Sequence, residues 1–440
     1  MTRCYLPLVG FLCVATTAFA DDWPGWMGAQ RDGVYRETGI VDEVPSDGLP
    51  IKWRQPIHGG YAGPAVADGH VFVYDFQRKD RVKVTNSLEG GNVAGLERLL
   101  VLDEKTGALR WEHAYDCTYS VDYPYGPRCT PTIDDDRVYI LGSEGDLKCL
   151  RVEDGKVFWS RHLQRDFGVK VQRWGFASHP LIVDDLLYTM VGGPGQAVVA
   201  FDKVTGETRW KALDALPGYA PPTIIEAGGT RQLIVFHATA VVSLNPTDGT
   251  RYWDVPFQAA YDMSICRPMV EGNKMFITAN TGSVMVELAP AAPAVKELWR
   301  GKRGKTSIQS ANATPLFVDG VIYGTDHQDG TLIAISSEDG RRLWQTYEAT
   351  KPGATRFVKE GTAFLTRIRD TDRYLVMSET GDLQIAKLTA DGYEHRGRMR
   401  VLEPTQFAKG HQVLWSHPAY ANRTAYIRND NEIVAVDLEK

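Results

Sequence analysis

The sequence predicts an all-β fold, an eight-bladed β-propeller of four-stranded antiparallel blades that is closed by an N-terminal strand completing the last blade. One motif recurs five times: Thr or Asp, then Gly, then Trp four residues after the Gly, as in TGALRW at 106–111. In addition, seven tryptophans are spaced 43 to 58 residues apart, which is the length of a four-stranded blade. These tryptophans are Trp53, Trp111, Trp159, Trp210, Trp253, Trp299 and Trp344.

Each unit between two tryptophans has the same order of strands and turns. A loop follows the Trp strand, a Pro then opens a short apolar strand, and Asp-Asp, Asp-Gly or Gly turns separate the next strands, as in 130–150. Such turns between short apolar strands are typical of β-hairpins. A seventh unit carries Arg396 where Trp is expected, and 413–438 supplies three strands of an eighth. The strand around Trp53 is the missing fourth, and it closes the ring without a long free edge.

The repeated tryptophans are assigned to packing rather than to chemistry. A large ring near the edge of each blade covers the seam with the next blade, and its indole N–H can donate to the backbone. No amphipathic helix of convincing length interrupts the strands.

The N-terminus predicts export. Residues 1–20 combine Arg3, an apolar run and Ala18-Phe19-Ala20, which is the pattern of a signal peptide cleaved after Ala20. A lipoprotein signal using Cys13 is the alternative, but Leu12 precedes that cysteine where a small residue is usual. We therefore expect a periplasmic or secreted protein whose mature chain has no transmembrane segment.

The chain is expected to have three parts: the signal peptide (1–20), an N-terminal wrapping segment (21–48) and the propeller (49–440). The wrapping segment begins with WPGWMGAQRDG. Its Trp23 and Trp26 are predicted to pack on the propeller; an exposed aromatic recognition arm is the alternative.

Charge and cysteine usage limit the partners and cofactors. The formal net charge is −6 and no basic stripe is visible, so no nucleic-acid partner is expected. We also expect the protein to be a monomer. Cys117 and Cys129 flank a loop and are a candidate disulfide; alternatively they, Cys149 and Cys266 are small buried residues. No C-x-x-C occurs, which argues against zinc clusters and attached haem.

The candidate ligand site is the mouth of the central channel. The residues just before the innermost strand of each blade should converge there, and they include aromatic rings, guanidinium groups, imidazoles and an amide. Arginine forks suit anions, tryptophans offer stacking surfaces, and imidazoles can hydrogen-bond. The alternative for the two histidines is a local role at the strand entry. The predicted residues are Tyr61, Arg128, Trp174, His179, Tyr219, Arg267, Asn312, Trp415 and His417.

Several stretches resemble a known repeat family. The run from Leu102 to Leu150 resembles the PQQ-like β-propeller repeat of quinoprotein alcohol dehydrogenases and of the periplasmic outer-membrane assembly lipoprotein. The stretches 23–40, 61–73, 218–237 and 413–430 look like exported bacterial propeller proteins best known from planctomycetes. The resemblance is specific for the fold and weak for function.

The resemblance implies a cofactor that the residues do not favour. Quinoprotein dehydrogenases imply PQQ on an aromatic floor, Ca²⁺ held by Glu, Asn and Asp oxygens, a catalytic Asp and often adjacent cysteines. Here no two cysteines are adjacent and no predicted mouth residue is Asp or Glu. Motifs of other enzyme classes, such as G-x-S-x-G, the P-loop and H-E-x-x-H, are absent, and no catalytic residue or metal ligand is nominated.

The predicted function is therefore an exported, non-catalytic binding or scaffold propeller. It would act on a protein partner, as in outer-membrane assembly, or on a carbohydrate or small anionic ligand at the channel mouth. The alternative is a degenerate PQQ-dependent oxidoreductase of alcohols or sugars.

Overall fold

The computed structural model describes residues 22–80, 92–301, 306–355, 359 and 361–440, and within them the fold prediction is confirmed. Eight four-stranded antiparallel sheets follow one another along the chain as blades 1 to 8. The predicted signal peptide lies outside the described residues.

The first four blades each use four consecutive strands. Two strands precede them: β1 (Val34–Tyr35) and β2 (Ile51–Pro56). Blade 1 is β3 (Ala65–Ala67), β4 (His70–Arg78), β5 (Val93–Asp103) and β6 (Leu109–Tyr119). Blade 2 is β7 (Thr132–Asp134), β8 (Arg137–Leu141), β9 (Asp146–Arg151) and β10 (Val157–His162). Blade 3 is β11 (Leu181–Val183), β12 (Leu186–Met190), β13 (Val198–Asp202) and β14 (Thr208–Ala212). Blade 4 is β15 (Thr223–Ala227), β16 (Thr230–His237), β17 (Ala240–Leu244) and β18 (Arg251–Pro256).

The next three blades repeat this order, and a two-stranded hairpin precedes the last blade. Blade 5 is β19 (Met269–Glu271), β20 (Lys274–Ala279), β21 (Gly282–Leu288) and β22 (Val295–Gly301). Blade 6 is β23 (Leu316–Val318), β24 (Val321–Asp326), β25 (Thr331–Ser336) and β26 (Arg342–Thr346). Blade 7 is β27 (Ala363–Ile368), β28 (Arg373–Ser378), β29 (Asp382–Leu388) and β30 (Tyr393–Arg400). The hairpin is β31 (Gln406–Ala408) and β32 (His411–Val413).

Blade 8 joins the two ends of the chain. It contains β33 (Ala419–Ala421), β34 (Thr424–Arg428) and β35 (Glu432–Asp437). Its fourth, outermost strand is β2, which runs antiparallel to β35 with Trp53 opposite Ala435. The N-terminal strand thus closes the ring, as the sequence predicts. The described residues hold one short α-helix, Leu163–Phe167, and one 3₁₀ turn, Ala260–Asp262.

The first strand of each blade borders the central channel, and the fourth strand faces solvent. The first strand of blade 1 contacts the first strands of blades 8 and 2. All three residues of that strand, Ala65–Ala67, are buried, whereas Leu109–Tyr119 on the outside alternates exposed and partly buried positions. Each blade therefore buries its faces against its neighbours. The described residues contain no helix long and apolar enough to span a membrane.

The repeated Trp and Gly of neighbouring blades meet at the seams. The indole N–H of Trp159 in blade 2 donates to the Lys203 carbonyl at the turn of blade 3 (3.0 Å). In that turn Gly206 has φ +72°, and a Cβ on it would lie 2.6 Å from the Trp159 ring. Only a glycine can cover the ring this closely in the left-handed region. The same pairing joins Trp53 to Gly107, Trp111 to Gly155, Trp210 to Gly249 and Trp299 to Gly340.

The first half of the predicted wrapping segment fills the central channel. Trp23 forms an antiparallel bridge with Val66 on the innermost strand of blade 1. The chain turns near Trp26 and returns as β1, which pairs in parallel with β27 of blade 7. Trp23 and Trp26 are each 4% exposed, so the tryptophans pack inside the ring. We call residues 22–35 the channel plug.

The second half of the segment crosses the face of the ring away from the channel mouth. Glu37 accepts hydrogen bonds from the backbone N–H of Asn422 (2.6 Å) and Arg423 (3.1 Å) in the first turn of blade 8. Val44 N–H donates to the Arg396 carbonyl in blade 7 (2.8 Å). The chain therefore wraps this face before it enters blade 8.

The candidate disulfide between Cys117 and Cys129 is not formed, because both are free thiols. Cys117 lies on the outermost strand of blade 1, whereas Cys129 lies just before the innermost strand of blade 2. Four strands about 4.8 Å apart separate these edges of a blade, which is wider than a disulfide can bridge. The Cys129 thiol instead lies 3.7 Å from the Phe176 carbonyl oxygen.

Candidate functional site

A cavity of about 590 Å³ opens at the channel mouth. The connections between blades, which lead into the innermost strands, form its walls. Eight of the nine residues predicted for the mouth line it, and Arg267 does not. The eight are Tyr61, Arg128, Trp174, His179, Tyr219, Asn312, Trp415 and His417.

Arg267 instead holds the channel plug in place. Its Nη1 donates to the Arg31 carbonyl, and its backbone N–H donates to Thr314 Oγ1 (3.2 Å). Burial lowers the pKa of Arg267 to about 10 and that of Arg31 to about 9, and in Arg31 the nearby Arg267 charge adds to this effect. Arg31 in turn donates to the carbonyls of Pro180 (2.8 Å) and His179 (3.3 Å). Arg267 therefore lies inside the ring, below the cavity, where it bonds to the channel plug.

The plug provides the floor of the cavity. The Trp26 ring stacks on His179, with centroids 5.0 Å apart and planes 20° apart, and lies edge-on to His417 at 5.9 Å. The Arg31 guanidinium lies 5.7 Å from the centroid of the same ring. The protein's own N-terminal segment therefore lies in the channel below the mouth, and its Trp26 lines the bottom of the cavity.

Aromatic side chains form two walls. Trp174 meets Tyr219 edge-to-face with centroids 5.7 Å apart, and Trp415 lies 6.2 Å from Tyr123. The Trp415 indole N–H donates to Glu379 Oε2 behind the wall (3.0 Å), which fixes the orientation of the ring. These walls offer flat apolar surfaces to a ligand.

Arg128 contributes charge rather than a free fork. Its Nη1 donates to the Gly126 carbonyl (2.7 Å) and to Ser143 Oγ (2.9 Å). Its Nη2 donates to the carbonyls of Asp122 (2.7 Å) and Tyr123 (2.8 Å). Because these four acceptors are neutral, they do not compensate the positive charge of the Arg128 guanidinium, which lies next to the cavity. The bidentate capture of an anion by Arg128 would require breaking these bonds.

Further cations stand around the opening. Arg173 pairs with Asp122 (2.6 Å), and its guanidinium lies 5.3 Å from the Trp174 ring centroid. Lys359 and Lys409 also line the cavity. Among the described residues, the lining includes no Asp or Glu, so the described side chains that face a ligand are positively charged or neutral.

Two histidines of the cavity, His179 and His417, are neutral donors or acceptors. His179 Nδ1 accepts from the backbone N–H of Thr130 (3.0 Å), which places the ring hydrogen on Nε2. Burial lowers the pKa of His179 well below its usual value and that of His417 to about 3. Both rings are therefore uncharged at neutral pH.

Sequence reasoning missed part of the rim. Tyr123, Tyr261 and Lys409 line the cavity with left-handed backbone at φ 56°, 57° and 51°. Bulky residues rarely adopt this conformation, and such strain is concentrated at ligand sites. Asn280 holds the turn of Tyr261 by bonding both the N–H and the C=O of Ala260 (3.0 Å each). In the sequence these residues lie in loops with no repeat motif, so only the left-handed geometry identifies them.

The sequence comparison matches this chain to a known family. The model described as "Outer membrane protein assembly factor BamB" matches residues 46–168, 95–346 and 292–440, which together span 46 to 440. The chain belongs to this family. Overlapping matches are expected when one repeat can be aligned in several registers.

Curated relatives carry the same name. The outer membrane protein assembly factor BamB of Moranella endobia (strain PCIT) is 22% identical over 233 residues, 49% of this chain and 56% of the relative. That of Alteromonas naphthalenivorans is 26% identical over 275 residues, 57% of this chain and 62% of the relative. The chain thus matches less than two thirds of the length of either relative.

Solved structures show the same fold at low identity. BamB from Moraxella catarrhalis superposes with a TM-score of 0.56 at 14% identity, covering 88% of this chain and 97% of that one. A europium-containing methanol dehydrogenase superposes with a TM-score of 0.62 at 11% identity, covering 94% of this chain and 89% of that one. Quinohemoprotein alcohol dehydrogenase from Comamonas testosteroni superposes with a TM-score of 0.60 at 12% identity, covering 96% of this chain and 81% of that one. BamB and dehydrogenases thus share this architecture, so the fold alone does not indicate the function of this chain.

The donor set of the cavity does not fit Ca²⁺ with PQQ. Ca²⁺ in proteins takes carboxylate and carbonyl oxygens, and the described residues that line the cavity include no carboxylate. Among the described residues, no three His, Cys, Asp or Glu side chains are grouped to hold a metal ion. The similarity to quinoproteins is therefore one of fold, and no catalytic step is derived from it.

Proposed function

We propose that this protein is a non-catalytic binding propeller, exported to the periplasm or beyond, whose channel-mouth cavity binds an anionic group. The observation that carries the proposal is the composition of the lining: as far as the structure describes it, the lining has aromatic walls and cationic side chains but no carboxylate. The predicted signal peptide supports export.

The charged side chains of the lining favour an anion over a neutral sugar. A polyhydroxylated ligand needs acceptors for its hydroxyl hydrogens. Two of the polar side chains in the lining are already engaged: Asn280 on Ala260, and His327 between Gln309 O and Gln328 Nε2 (2.6 Å each). The charged side chains in the described lining, Arg128, Arg173, Lys359 and Lys409, are donors only.

The family supports a protein as the bearer of this group. The relatives are named as outer membrane protein assembly factors. A propeller with a rigid ring and convergent loops is suited to hold such a partner on one face. On this basis the protein would act as a scaffold in assembly at the outer membrane, with the mouth as its docking face.

The test is a thermal-shift panel on the full mature chain. Citrate, a glucuronate oligosaccharide and an acidic peptide are compared with spermidine and a neutral maltooligosaccharide. At least one anion should raise the melting temperature in a saturable, salt-sensitive manner, because binding only the native state stabilises it. The rise should be lost in Lys409→Glu, which changes the charge at the rim, and kept in Lys211→Glu on an outer strand. If no anion shifts the melting temperature, or the shift is equal in both variants, the proposal is wrong.

A further inference from the structure

We infer that the anionic group is carried by an acidic, aromatic-containing extended peptide segment of a partner protein, which inserts into the channel-mouth cavity. The inference rests on the proposed function and specifies the partner chemistry of the same site.

The apolar surface of this face extends beyond the cavity. Tyr261 is 73% exposed and Leu216 is 62% exposed, which makes them the most exposed large hydrophobic side chains among the described residues. Tyr261 lines the cavity. Leu216 lies next to Pro217, whose carbonyl accepts from Gln172 Nε2 (2.7 Å) in the loop that carries Trp174. Both therefore lie on the mouth face, at the connections on either side of blade 4. A small ligand enclosed in the cavity would leave Leu216 uncovered, whereas a longer chain can reach it.

The charges match an acidic chain. Arg173, Lys359 and Lys409 stand around the opening, and Arg128 lies deeper with only neutral acceptors on its terminal nitrogens. The described lining contains no carboxylate, so nothing in it would repel the aspartate or glutamate side chains of a partner. Complementary charge steers association and selects the partner.

The walls suit aromatic side chains between the acidic ones. Trp174 with Tyr219 and Trp415 with Tyr123 present ring edges and faces at stacking distances. Aromatic pairs of this type stabilise a complex beyond the apolar area they bury. Because the Trp26 floor is fixed in the ring, the cavity has a defined depth, and the partner segment has to enter from the mouth.

The experiment is fluorescence anisotropy on the full mature chain. The probe is a fluorescein-labelled eight-residue peptide alternating aspartate and phenylalanine. The matched control peptide has lysine in place of aspartate, and an unlabelled glucuronate oligosaccharide serves as competitor. We expect saturable binding of the acidic peptide, weakening as salt is added, and no saturation with the basic peptide.

Two variants and one control locate the binding. Lys409→Glu should raise the Kd by about tenfold, the size typical of losing one charge-assisted contact. Tyr261→Asn removes the exposed ring while keeping a residue that tolerates left-handed backbone, and should raise the Kd by about threefold or more. Lys211→Glu makes the same charge change on the outer strand of blade 3 and should leave the Kd within about twofold.

Equal binding of the basic peptide, or a Kd that is unchanged in Lys409→Glu, would overturn the inference. If only the glucuronate oligosaccharide or citrate binds, and does so in a Lys409-dependent way, the peptide inference is wrong while the anion site stands. If no anion binds at all, both fail.

Discussion

At the scale of single residues, the pairing of Trp and Gly across five of the eight seams explains why one motif recurs. The glycine must adopt positive φ to make the turn, and its missing side chain lets the turn lie on the indole of the preceding blade. The spacing from Gly to Trp is visible in the sequence because both residues belong to one hairpin. Their contacts are to the neighbouring blades, so the partner of each Trp becomes clear only in the closed ring.

Replacing Gly206 by alanine tests this pairing. The methyl group would lie 2.6 Å from the Trp159 ring in a backbone of φ +72°. We expect a loss in the free energy of unfolding of ~1–2 kcal/mol from the backbone and ~1–3 kcal/mol more from overpacking. Gly69→Ala is the matched control, since its φ is +74° with no atom within 4 Å. Urea unfolding of both variants measures the difference, and equal losses would show that the ring contact is unimportant.

Sequence reasoning reached most of the candidate site but not its lower boundary. The residues before each innermost strand could be aligned from the repeat, and eight of nine line the cavity. Arg267 occupies the equivalent position, but its side chain bonds to the backbone of Arg31 in the plug. Contacts between segments so far apart in the chain leave no local pattern, so neither this contact nor the Trp26 floor could be predicted.

At the scale of elements, the hairpin before blade 8 is an addition to the repeat that borders the cavity. Lys409 at its tip lines the cavity, and the backbone N–H of Phe407 donates to Tyr125 Oη (2.9 Å). Glu379 of blade 7 holds both the hairpin, through His411 Nε2 (3.1 Å), and the wall, through Trp415. Strand periodicity alone does not distinguish these two short strands from a loop, which is why they were not assigned.

The contact between His411 and Glu379, which holds the hairpin to blade 7, should weaken as the pH rises. Glu379 raises the pKa of His411 above its usual 6.5, although burial and Lys351 oppose this. A raised pKa in the folded state means that the pair stabilises fully below pH 6.5 and fades as the pH passes the raised value. His411→Gln should therefore cost up to ~1 kcal/mol in unfolding free energy at pH 6 and less at pH 9.

Chemical denaturation across this pH range, followed for each variant, measures that trend. His113→Gln is a control of opposite sign, because burial lowers the pKa of His113. Folding disfavours the protonated form of His113, so replacing His113 should raise the free energy of unfolding most at low pH. A cost of His411→Gln that grows with pH would contradict the assignment of the pair.

At the scale of the whole molecule, the ring and its plug form one rigid holder. Blade 8 unites both chain ends, and the plug contacts the innermost strands of several blades from inside the channel. Blade number and closure were predictable because each blade is a local hairpin sequence with a fixed period. The use of the channel was not, since the plug carries no repeat and lies far in sequence from most of the strands it contacts.

The central claim is that this ring keeps the fold of quinoproteins but binds an anion at its mouth without a metal. The most direct measurement is a titration of the mature chain with PQQ, with and without Ca²⁺, followed by absorbance and melting temperature. Because the described residues that line the cavity include no carboxylate, any response to PQQ should be the same with and without Ca²⁺. A saturable shift that depends on Ca²⁺ would contradict the account and favour a degenerate oxidoreductase.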